Sequence, residues 1–312
     1  MLKKALENAL TSKESDELIS AFDQIGDIII VRIPDSLLSK KKIIGQTLLN
    51  EVKVARSVFH QASDIEGDFR TRSLEILAGE KNTETEYKEF GCKFLVDVEN
   101  AFFSPRLSTE RERIANLIQD GEVITNMFAG VGMFSIMASK NKKCTVYSID
   151  INPVASKLCE KNIELNKLVG KVISINGDAS EIIKEKLVNK SDRTLMLLPE
   201  RSDEFLESAI NTTKNGGIIH YYSHIHADKK SEAGKLSEEH YLQVTPVQSE
   251  ILGSKIVRAV GSNINVLSDL LTSFSLIISA ASPFIEITFP TSLFNSIFFS
   301  HNFDATGLIS IL

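Results

Sequence analysis

Short apolar runs alternate with longer mixed segments over the middle of the chain. The runs are EVITNM, CTVYSID, KVISING, RTLMLL and GGIIHYY, which begin at Glu122, Cys144, Lys171, Arg193 and Gly216. Each run except the last precedes a segment of helical length, and the segment from Asn152 has amphipathic spacing with Pro153 in its first turn. Strands that alternate with helices form a parallel sheet covered on both faces, so the pattern predicts an α/β fold.

The first hundred residues show a different pattern of apolar and polar positions. FDQIGDIIIVRIP, residues 22–34, predicts one long strand or a pair of strands, and KKIIGQTLLNEVKVARSVF, residues 41–59, predicts a helix. TEYKEFGCKFLVDV, residues 85–98, predicts a β-hairpin. We therefore expect a separate, smaller α+β unit that ends near Ala101.

The stretch VENAFFSPRLSTERERIANLI follows this boundary and leads into a helix. Thr109 and Glu112 have the spacing of a capping box, which predicts that the helix starts at Thr109. Ile114, Leu117 and Ile118 supply its apolar face.

The end of the chain is apolar without being a membrane span. Between Ala259 and Leu312 there is no Lys or Arg, and the acids are Asp269, Glu286 and Asp304. Pro283, Glu286 and Pro290 interrupt this stretch too often for a span of about 20 apolar residues. We treat residues 273–312 as a hydrophobic tail, which is compatible with an added β layer, an interface segment or a sequence foreign to the fold.

Composition and charge narrow the class of protein. The three cysteines, Cys92, Cys144 and Cys159, show no CxxC spacing, so they indicate a reducing compartment and no zinc site. The first residues lack the apolar core of a secretory signal, and we expect a cytoplasmic protein.

A local basic stretch stands out in a chain whose net charge is −6. Five basic residues and a single acid, Glu51, lie between residues 40 and 57; the five are Lys40, Lys41, Lys42, Lys53 and Arg56. The stretch fits a solvated helix surface and also a contact with nucleic-acid phosphates.

A glycine loop and two carboxylates follow the predicted strands. Gly130 and Gly132 in ITNMFAGVGMFSI let backbone amides approach a ligand closely, although the third glycine of a dinucleotide fingerprint is replaced by Ser135. Asp150 ends the second strand, where a carboxylate can accept two ribose hydroxyls, and Asp178 ends the third, where one can accept an adenine amino proton. Together they predict an adenosine pocket.

Several stretches extend this pattern to a family. FFSPRLSTER, MFAGVG, YSIDINP, KNIELNK and GGIIHYYS resemble the archaeal and eukaryotic tRNA (guanine(37)-N(1))-methyltransferases, and the likeness runs from about Phe22 to Leu271. The resemblance implies S-adenosylmethionine as cofactor and a class I methyltransferase (Rossmann-like), mostly parallel seven-stranded sheet. It also implies an RNA-contacting domain over residues 1–101, a cofactor-binding domain over residues 102–272, and the tRNA anticodon arm as partner of a monomeric protein.

The same resemblance implies roles for individual residues. Methylation of guanine N1 needs a base for the N1 proton and a positive group for the charge on O6. Glu110 is the implied base with Arg111 beside it, and Arg70 is the implied O6 contact with Arg72 as runner-up, since alternation in an extended segment would put both arginines on one face. Pro199 shapes the pocket. The implied cofactor-binding residues are Arg106, Phe128, Ala129, Gly130, Val131, Gly132, Asp150, Ile151, Asp178 and Ala179.

Three positions depart from the family pattern. Leu197 stands where the family has an asparagine, Asn126 where it has an acid, and Met133 where it has a proline; we expect Asn126 and Met133 near the cofactor. Leucine cannot hydrogen-bond a base edge, which leaves room for a related aminocarboxypropyl transferase of the wybutosine pathway or a non-catalytic RNA-binding relative. An NAD-dependent oxidoreductase is a further alternative, and the missing third glycine argues against it.

Overall fold

The computed structural model describes residues 2–63, 65, 67–226, 232, 235–236, 238–240, 243, 249–260 and 263–272. The predicted tail, residues 273–312, lies outside the described residues. Within the described part, no helix has both the length and the apolar character needed to cross a membrane. No group of three or more His, Cys, Asp or Glu side chains in that part is placed to hold a metal ion.

The amino-terminal part is built on a four-stranded sheet. Its elements are α1 (Leu2–Ala5), α2 (Ser12–Glu17), β1 (Phe22–Ile25), β2 (Ile28–Val31), α3 (Lys41–Glu51), β3 (Ser57–Gln61) and β4 (Leu74–Gly79). The strands follow the order β1-β2-β3-β4, in which only β2 and β3 are parallel. Of the two expectations for residues 22–34, the structure shows the pair of strands, β1 and β2. Helix α3 packs its buried residues Ile44 and Leu48 against the sheet, and the predicted α+β character is confirmed.

The helix predicted over residues 41–59 is too long. Helix α3 ends at Glu51, and Val52 already has an extended backbone. Ser57, Val58 and Phe59 belong instead to β3, where they are buried between β2 and β4. The apolar residues of this segment have helical spacing, but pairing with strands on both sides gives the segment an extended conformation.

The predicted hairpin, β5 (Glu84–Glu89) and β6 (Cys92–Asp97), is confirmed. Two buried asparagines join it to α6 (Pro153–Leu165), a helix that packs on the second sheet of the protein. They are Asn162 of that helix and Asn166 directly after it. The Leu95 backbone amide donates to Asn162 Oδ1 at 2.6 Å, and the Lys93 amide donates to Asn166 Oδ1 at 3.0 Å. The two asparagines of the KNIELNK stretch thus pair with backbone groups at the edge of the hairpin. The sequence pattern of this stretch does not predict that role.

The second sheet has seven strands and is mostly parallel, as predicted. The remaining elements are α4 (Ser108–Leu117), β7 (Val123–Asn126), α5 (Met133–Lys140), β8 (Thr145–Asp150), α6, β9 (Lys171–Asn176), α7 (Ala179–Ile182), β10 (Ser191–Met196), α8 (Ser202–Thr212), β11 (Thr213–His226), β12 (Ser249–Val260) and β13 (Asn263–Thr272). The strand order is β12-β13-β11-β10-β7-β8-β9, and only β13 runs against its neighbours. Strand order reverses at β7, so β8 and β10 flank it and the carboxyl ends of these three strands meet at one crevice.

The capping box predicted at Thr109 is wrong. A 3₁₀ turn, Pro105–Leu107, runs directly into α4, which begins at Ser108, so Thr109 lies inside the helix and caps nothing. Ile114 and Ile118 are fully buried as predicted, whereas Leu117 is 38% exposed.

Candidate functional site

A cleft opens at the carboxyl ends of β7, β8, β9 and β10. One side is formed by the loops that follow these strands. The other side is formed by the Phe102–Ser104 segment and by the turn at residues 67–70, which comes from the amino-terminal part. The cleft therefore combines groups from distant parts of the chain, such as Asp68 and Arg201, which are 133 residues apart.

The glycine loop between β7 and α5 forms the floor of this cleft. Gly130 has φ +56°, and a Cβ added there would meet only the Phe102 carbonyl oxygen at 3.6 Å, so a ligand can approach its backbone. Gly132 has φ +87°, but a Cβ there would lie 2.5 Å from Cys159 Sγ on α6. Phe128, Ala129, Gly130 and Val131 line the cleft as expected, whereas Gly132 does not; its small size serves helix packing.

Asp150 at the end of β8 lines the cleft and organises the glycine loop. Its Oδ2 accepts a hydrogen bond from the Gly130 amide at 2.6 Å, and its Oδ1 accepts one from the Asn152 amide at 2.9 Å. Burial raises the pKa of this carboxyl, and the two amides lower it in part. The next residue, Ile151, is 42% exposed and presents an apolar side chain at the same edge.

Asp178, after β9, caps the short helix α7. Its Oδ1 accepts from the Ser180 amide at 2.8 Å and from the Glu181 amide at 3.2 Å. Asp178 and Ala179 both line the cleft, so the structure brings the two predicted carboxylates to one pocket. The capping bonds engage one of the two oxygens and leave Oδ2 able to accept a ligand donor.

Arg70 reaches the cleft from the amino-terminal part. Its Nη2 donates to Glu200 Oε1 at 2.7 Å, and the guanidinium lies 4.2 Å from the centre of the Phe102 ring. Burial lowers the pKa of this guanidinium, and the Glu200 carboxylate opposes that effect. The residue has φ +51°, an uncommon conformation for a side chain with a Cβ.

Arg72 does not share this position. Its side chain points to the Val98 carbonyl and to Gln61, at 3.4 and 3.3 Å, and it does not line the cleft. The prediction that alternation puts Arg70 and Arg72 on one face was wrong, because residues 67–70 form a turn and not an extended segment.

Glu110 lies behind the cleft wall. Its carboxylate is 3% exposed, accepts a hydrogen bond from Tyr222 at 2.7 Å and pairs with Arg113 at 2.9 Å. The neighbouring Arg111 does line the cleft, and its buried guanidinium is held in a two-pronged pair with Glu89 at 2.6 and 2.7 Å. The structure therefore brings Arg111 into the cleft and keeps Glu110 one layer away.

Two further predicted residues lie outside the cleft. Arg106 is 47% exposed and pairs with Asp23 at 2.7 Å. Pro199 starts a 3₁₀ turn that ends at Arg201, and the two residues before it, Leu197 and Leu198, form the apolar wall in its place.

The departures from the family pattern have different consequences. Met133 lines the cleft, as expected. Asn126 does not: it is fully buried under the loop and donates to Ser135 Oγ at 3.1 Å, while its Oδ1 finds no donor within the described residues. Asn126 therefore lies directly below the glycine loop, and its side chain points into the packing between β7 and α5 and not into the cleft.

The sequence pattern did not predict the aromatic lining of the cleft or the ion pair between Arg201 and Asp68. The phenylalanines that line the cleft are Phe69, Phe102, Phe103, Phe128, Phe134 and Phe205. Phe128 and Phe205 pack edge to face at 4.9 Å, and Arg201 lies 5.2 Å from the Phe205 ring while it pairs with Asp68 at 3.0 Å. Only Phe128 was predicted, since isolated aromatics in loops give no periodic signal.

The basic stretch is mostly engaged within the protein. Lys41 pairs with Glu75 at 2.9 Å, and Arg56 pairs with Asp27 and Glu80, each at 3.0 Å. Lys40 and Lys42 donate to backbone carbonyls at 3.3 and 3.2 Å. Phosphate contacts by this stretch would compete with these bonds.

Comparison with known proteins assigns a family to this fold and cleft. Residues 85–241 match the TRM5/TYW2 methyltransferase domain, and residues 2–83 match the TYW2 N-terminal domain. A tRNA (guanine(37)-N(1))-methyltransferase, Trm5b of Pyrococcus abyssi, is 46% identical over 205 residues, which are 66% of this chain and 60% of that protein. The chain thus spans about three fifths of that relative's length.

Two further comparisons agree. The tRNA 4-demethylwyosine(37)-methyltransferase Taw21 of Saccharolobus solfataricus is 35% identical over 73% of this chain and 87% of its own length. The solved complex of aTrm5 and tRNALeu superposes with a TM-score of 0.74 at 35% identity, covering 87% of this chain and 78% of that one. With half of its residues matched by the domain model, the chain belongs to the TRM5/TYW2 methyltransferase family.

Proposed function

We propose that this protein transfers the methyl group of S-adenosylmethionine to N1 of the guanine that follows the anticodon in tRNA. The observation that carries the proposal is the composition of the cleft. A glycine loop with two carboxylates forms one end, and an arginine from the amino-terminal part faces it within the same cavity. The family match and the relatives named as guanine(37)-N1 methyltransferases support the choice of reaction.

The residues present fit S-adenosylmethionine. Asp150 and Asp178 offer carboxylate oxygens for the ribose hydroxyls and the adenine amino group, and Ile151 offers an apolar surface for the adenine ring. The open approach at Gly130 leaves room for the cofactor against the backbone. The bound cofactor supplies an electrophilic methyl group on its sulfonium.

Arg70 and Glu110 divide the remaining chemistry. Arg70 donates to guanine O6, where negative charge develops as N1 loses its proton and gains the methyl group. Glu110 accepts the N1 proton, which requires its carboxylate to leave the hydrogen bonds from Tyr222 and Arg113 when RNA is bound. Its place one residue before Arg111, a residue of the cleft wall, puts the carboxylate one layer from the cleft.

The other predicted residues act on the walls of the site. Arg111 is held by Glu89 and fixes the wall beside Phe103 and Phe134. Pro199 sets the turn that presents Leu197 and Leu198 to the cleft. Arg106 is exposed, pairs with Asp23 and lies outside the cleft. It can therefore reach RNA more readily than it can reach the cofactor.

We propose that the anticodon arm of tRNA binds across both parts of the chain. The complex of aTrm5 with tRNALeu supports this partner. The division at residue 101 remains our proposal for the boundary between an RNA-contacting unit and the cofactor-binding unit, residues 102–272. The buried free thiols of Cys92, Cys144 and Cys159 support a reducing, cytoplasmic location, and we propose that the protein acts as a monomer.

Two related reactions use the same cofactor. Transfer of the aminocarboxypropyl group is favoured by the match of residues 2–83 to the TYW2 N-terminal domain and by Leu197, which replaces a hydrogen-bonding side chain. Methylation of 4-demethylwyosine is favoured by the similarity to Taw21, because the match covers 87% of that protein's length. An apolar wall suits a larger ring system than guanine.

One experiment separates the three reactions. The protein is incubated with S-adenosylmethionine that carries different isotopes in its methyl group and in its amino acid chain. The substrates are an unmodified tRNA and a tRNA that contains 4-demethylwyosine, and the products are digested and identified by mass. We expect the methyl label in 1-methylguanosine of the unmodified tRNA. The amino acid label in either product, or methyl label in 4-demethylwyosine alone, refutes the proposal.

A further inference from the structure

We propose that Phe69 is a stacking surface for an RNA base at the mouth of the cleft. This inference rests on the proposed function, since it assumes that a nucleobase enters the cleft. Phe69 lines the cleft, and yet the residue is 46% exposed. An aromatic ring that stays open to solvent beside a substrate cavity can bury that face only against something that enters.

The turn that carries Phe69 is fixed on both sides of the ring. Asp68 pairs with Arg201 at 3.0 Å, and Arg70 pairs with Glu200 at 2.7 Å. Both partners lie on the turn that follows β10, on the opposite side of the cleft. Phe69 therefore sits between two ion pairs that bridge the cleft mouth.

The backbone of this turn adds to the fixation. The Arg70 amide donates to the Gly67 carbonyl at 3.0 Å, and both residues have positive φ, at +51° and +71°. A closed turn that is tied at both flanks loses little freedom when a ligand stacks on its tip. The ring is thus arranged for binding before the ligand arrives.

An RNA base fits this position better than the cofactor does. The predicted adenosine contacts, Asp150 and Asp178, lie on loops of the second sheet, and the Phe128–Phe205 pair already lines that sheet's side of the cleft. Phe69 comes from the same turn as Arg70, which is the proposed contact to guanine O6. Single-stranded bases and bases turned out of a stack bind proteins by stacking on such side chains.

The chain offers a matched control for the test. Phe90 lies in the turn of the β5–β6 hairpin, is 50% exposed and has positive φ, but it does not line the cleft. Phe69→Ala and Phe90→Ala thus remove rings of similar exposure, each from a turn. Phe69→Trp keeps an aromatic face, and Phe69→Leu keeps apolar bulk without one.

The measurement is equilibrium binding of the full chain to an unmodified anticodon stem-loop RNA, with S-adenosylmethionine affinity and melting temperature as parallel readouts. We expect Phe69→Ala and Phe69→Leu to weaken RNA binding about 5-fold to 140-fold, which is the range that one stacked base gives. Phe69→Trp and Phe90→Ala should bind RNA like the wild type, and no variant should change cofactor affinity or melting temperature.

Three results overturn the inference: RNA affinity of Phe69→Ala equal to that of the wild type, equal affinity of the Leu and Trp variants, or a loss confined to cofactor affinity. Because binding is measured without turnover, the proposed function is tested separately. A wild type that binds the RNA through Phe69 but forms another product refutes the function and supports the stacking role. A wild type that does not bind the RNA refutes both.

Discussion

At the scale of single residues, the buried carboxyl of Asp150 links the shape of the glycine loop to cofactor binding. Its oxygens already accept hydrogen bonds from the amides of Gly130 and Asn152, and each oxygen has a second lone pair for a ribose hydroxyl. Burial raises its pKa, so it takes up a proton at a higher pH than an ordinary aspartate does.

The pKa of Asp150 predicts how cofactor affinity depends on pH. Hydroxyl donors favour the ionised carboxylate, so affinity should be full at neutral pH and should fall as the pH drops through the raised pKa. Calorimetric titration of S-adenosylmethionine over this range measures the effect. Asp150→Asn should bind the cofactor more weakly and without this acidic fall; a wild-type affinity that does not change with pH contradicts the assignment.

Glu110 gives the second prediction at this scale. Glu110→Gln should reduce turnover by about 100-fold to 10,000-fold, because a carboxamide cannot take the N1 proton. Binding of tRNA and cofactor should stay within about 2-fold of the wild type, since Gln keeps the size of the side chain and an acceptor for Tyr222. Single-turnover rates measure the first effect and equilibrium titrations the second.

The matched control for Glu110 is its exposed neighbour Glu112 on the same helix. Glu112→Gln should methylate at the wild-type rate. If Glu110→Gln keeps wild-type turnover, Glu110 has only the structural role that its bonds to Tyr222 and Arg113 describe. A fall in melting temperature together with a fall in RNA binding would likewise assign it to the wall of the cleft.

At the scale of elements, the loop between β7 and α5 depends on glycine at two positions for different reasons. Gly130 keeps the floor of the cleft open, and Gly132 lets α5 pack against α6. The sequence predicted the loop and both glycines, because a strand followed by GxG is a local pattern. It did not separate the two roles, since contact with Cys159 depends on the packing of a later helix.

Gly132→Ala should destabilise the protein by at least about 1 kcal/mol, because it combines strain at φ +87° with a Cβ placed 2.5 Å from Cys159 Sγ. Gly121→Ala is the control, since Gly121 has φ +91° and an added Cβ there meets nothing within 4 Å. Chemical denaturation measures both free energies of unfolding. Equal losses for the two variants would show that the contact with Cys159 adds nothing.

Local patterns predicted most elements of the second sheet, because each buried parallel strand is a short apolar run bounded by turns. The β5–β6 hairpin was predictable for a similar reason. The predictions were wrong where a neighbouring element determines the local conformation. β3 is extended because it pairs with strands on either side. Pro105 starts a turn that moves the beginning of α4 to Ser108. Neither effect is encoded in the spacing of apolar residues.

At the scale of the whole molecule, the cleft depends on contacts between distant parts of the chain. Arg70 and Glu200 are 130 residues apart, and Arg201 and Asp68 are 133 apart. The residues on the strand ends, such as Asp150 and Asp178, could be predicted from one strand at a time. The side of the cleft formed by the amino-terminal part could not, since nothing local indicates which arginine meets which carboxylate.

The basic stretch predicts a salt dependence that belongs to this scale. If Lys41, Lys42 and Lys53 contact phosphates, their joint replacement by alanine should lower the slope of log affinity against log salt by at least about 0.7, the value for one single-strand phosphate. The control replaces Lys140, Lys142 and Lys143, which lie near the amino ends of the parallel strands, away from the cleft. Equal slopes for both variants and the wild type would assign the stretch to the solvated surface.

The proposed reaction is tested most directly by a pair of tRNA transcripts that differ only in the nucleotide that follows the anticodon, guanosine in one and adenosine in the other. Each is incubated with the protein and methyl-labelled S-adenosylmethionine, and the labelled nucleoside is identified by mass and position. We predict 1-methylguanosine at that position in the first transcript and no label in the second. Equal labelling of both transcripts, label at another position, or no labelled guanosine in the first would contradict the account.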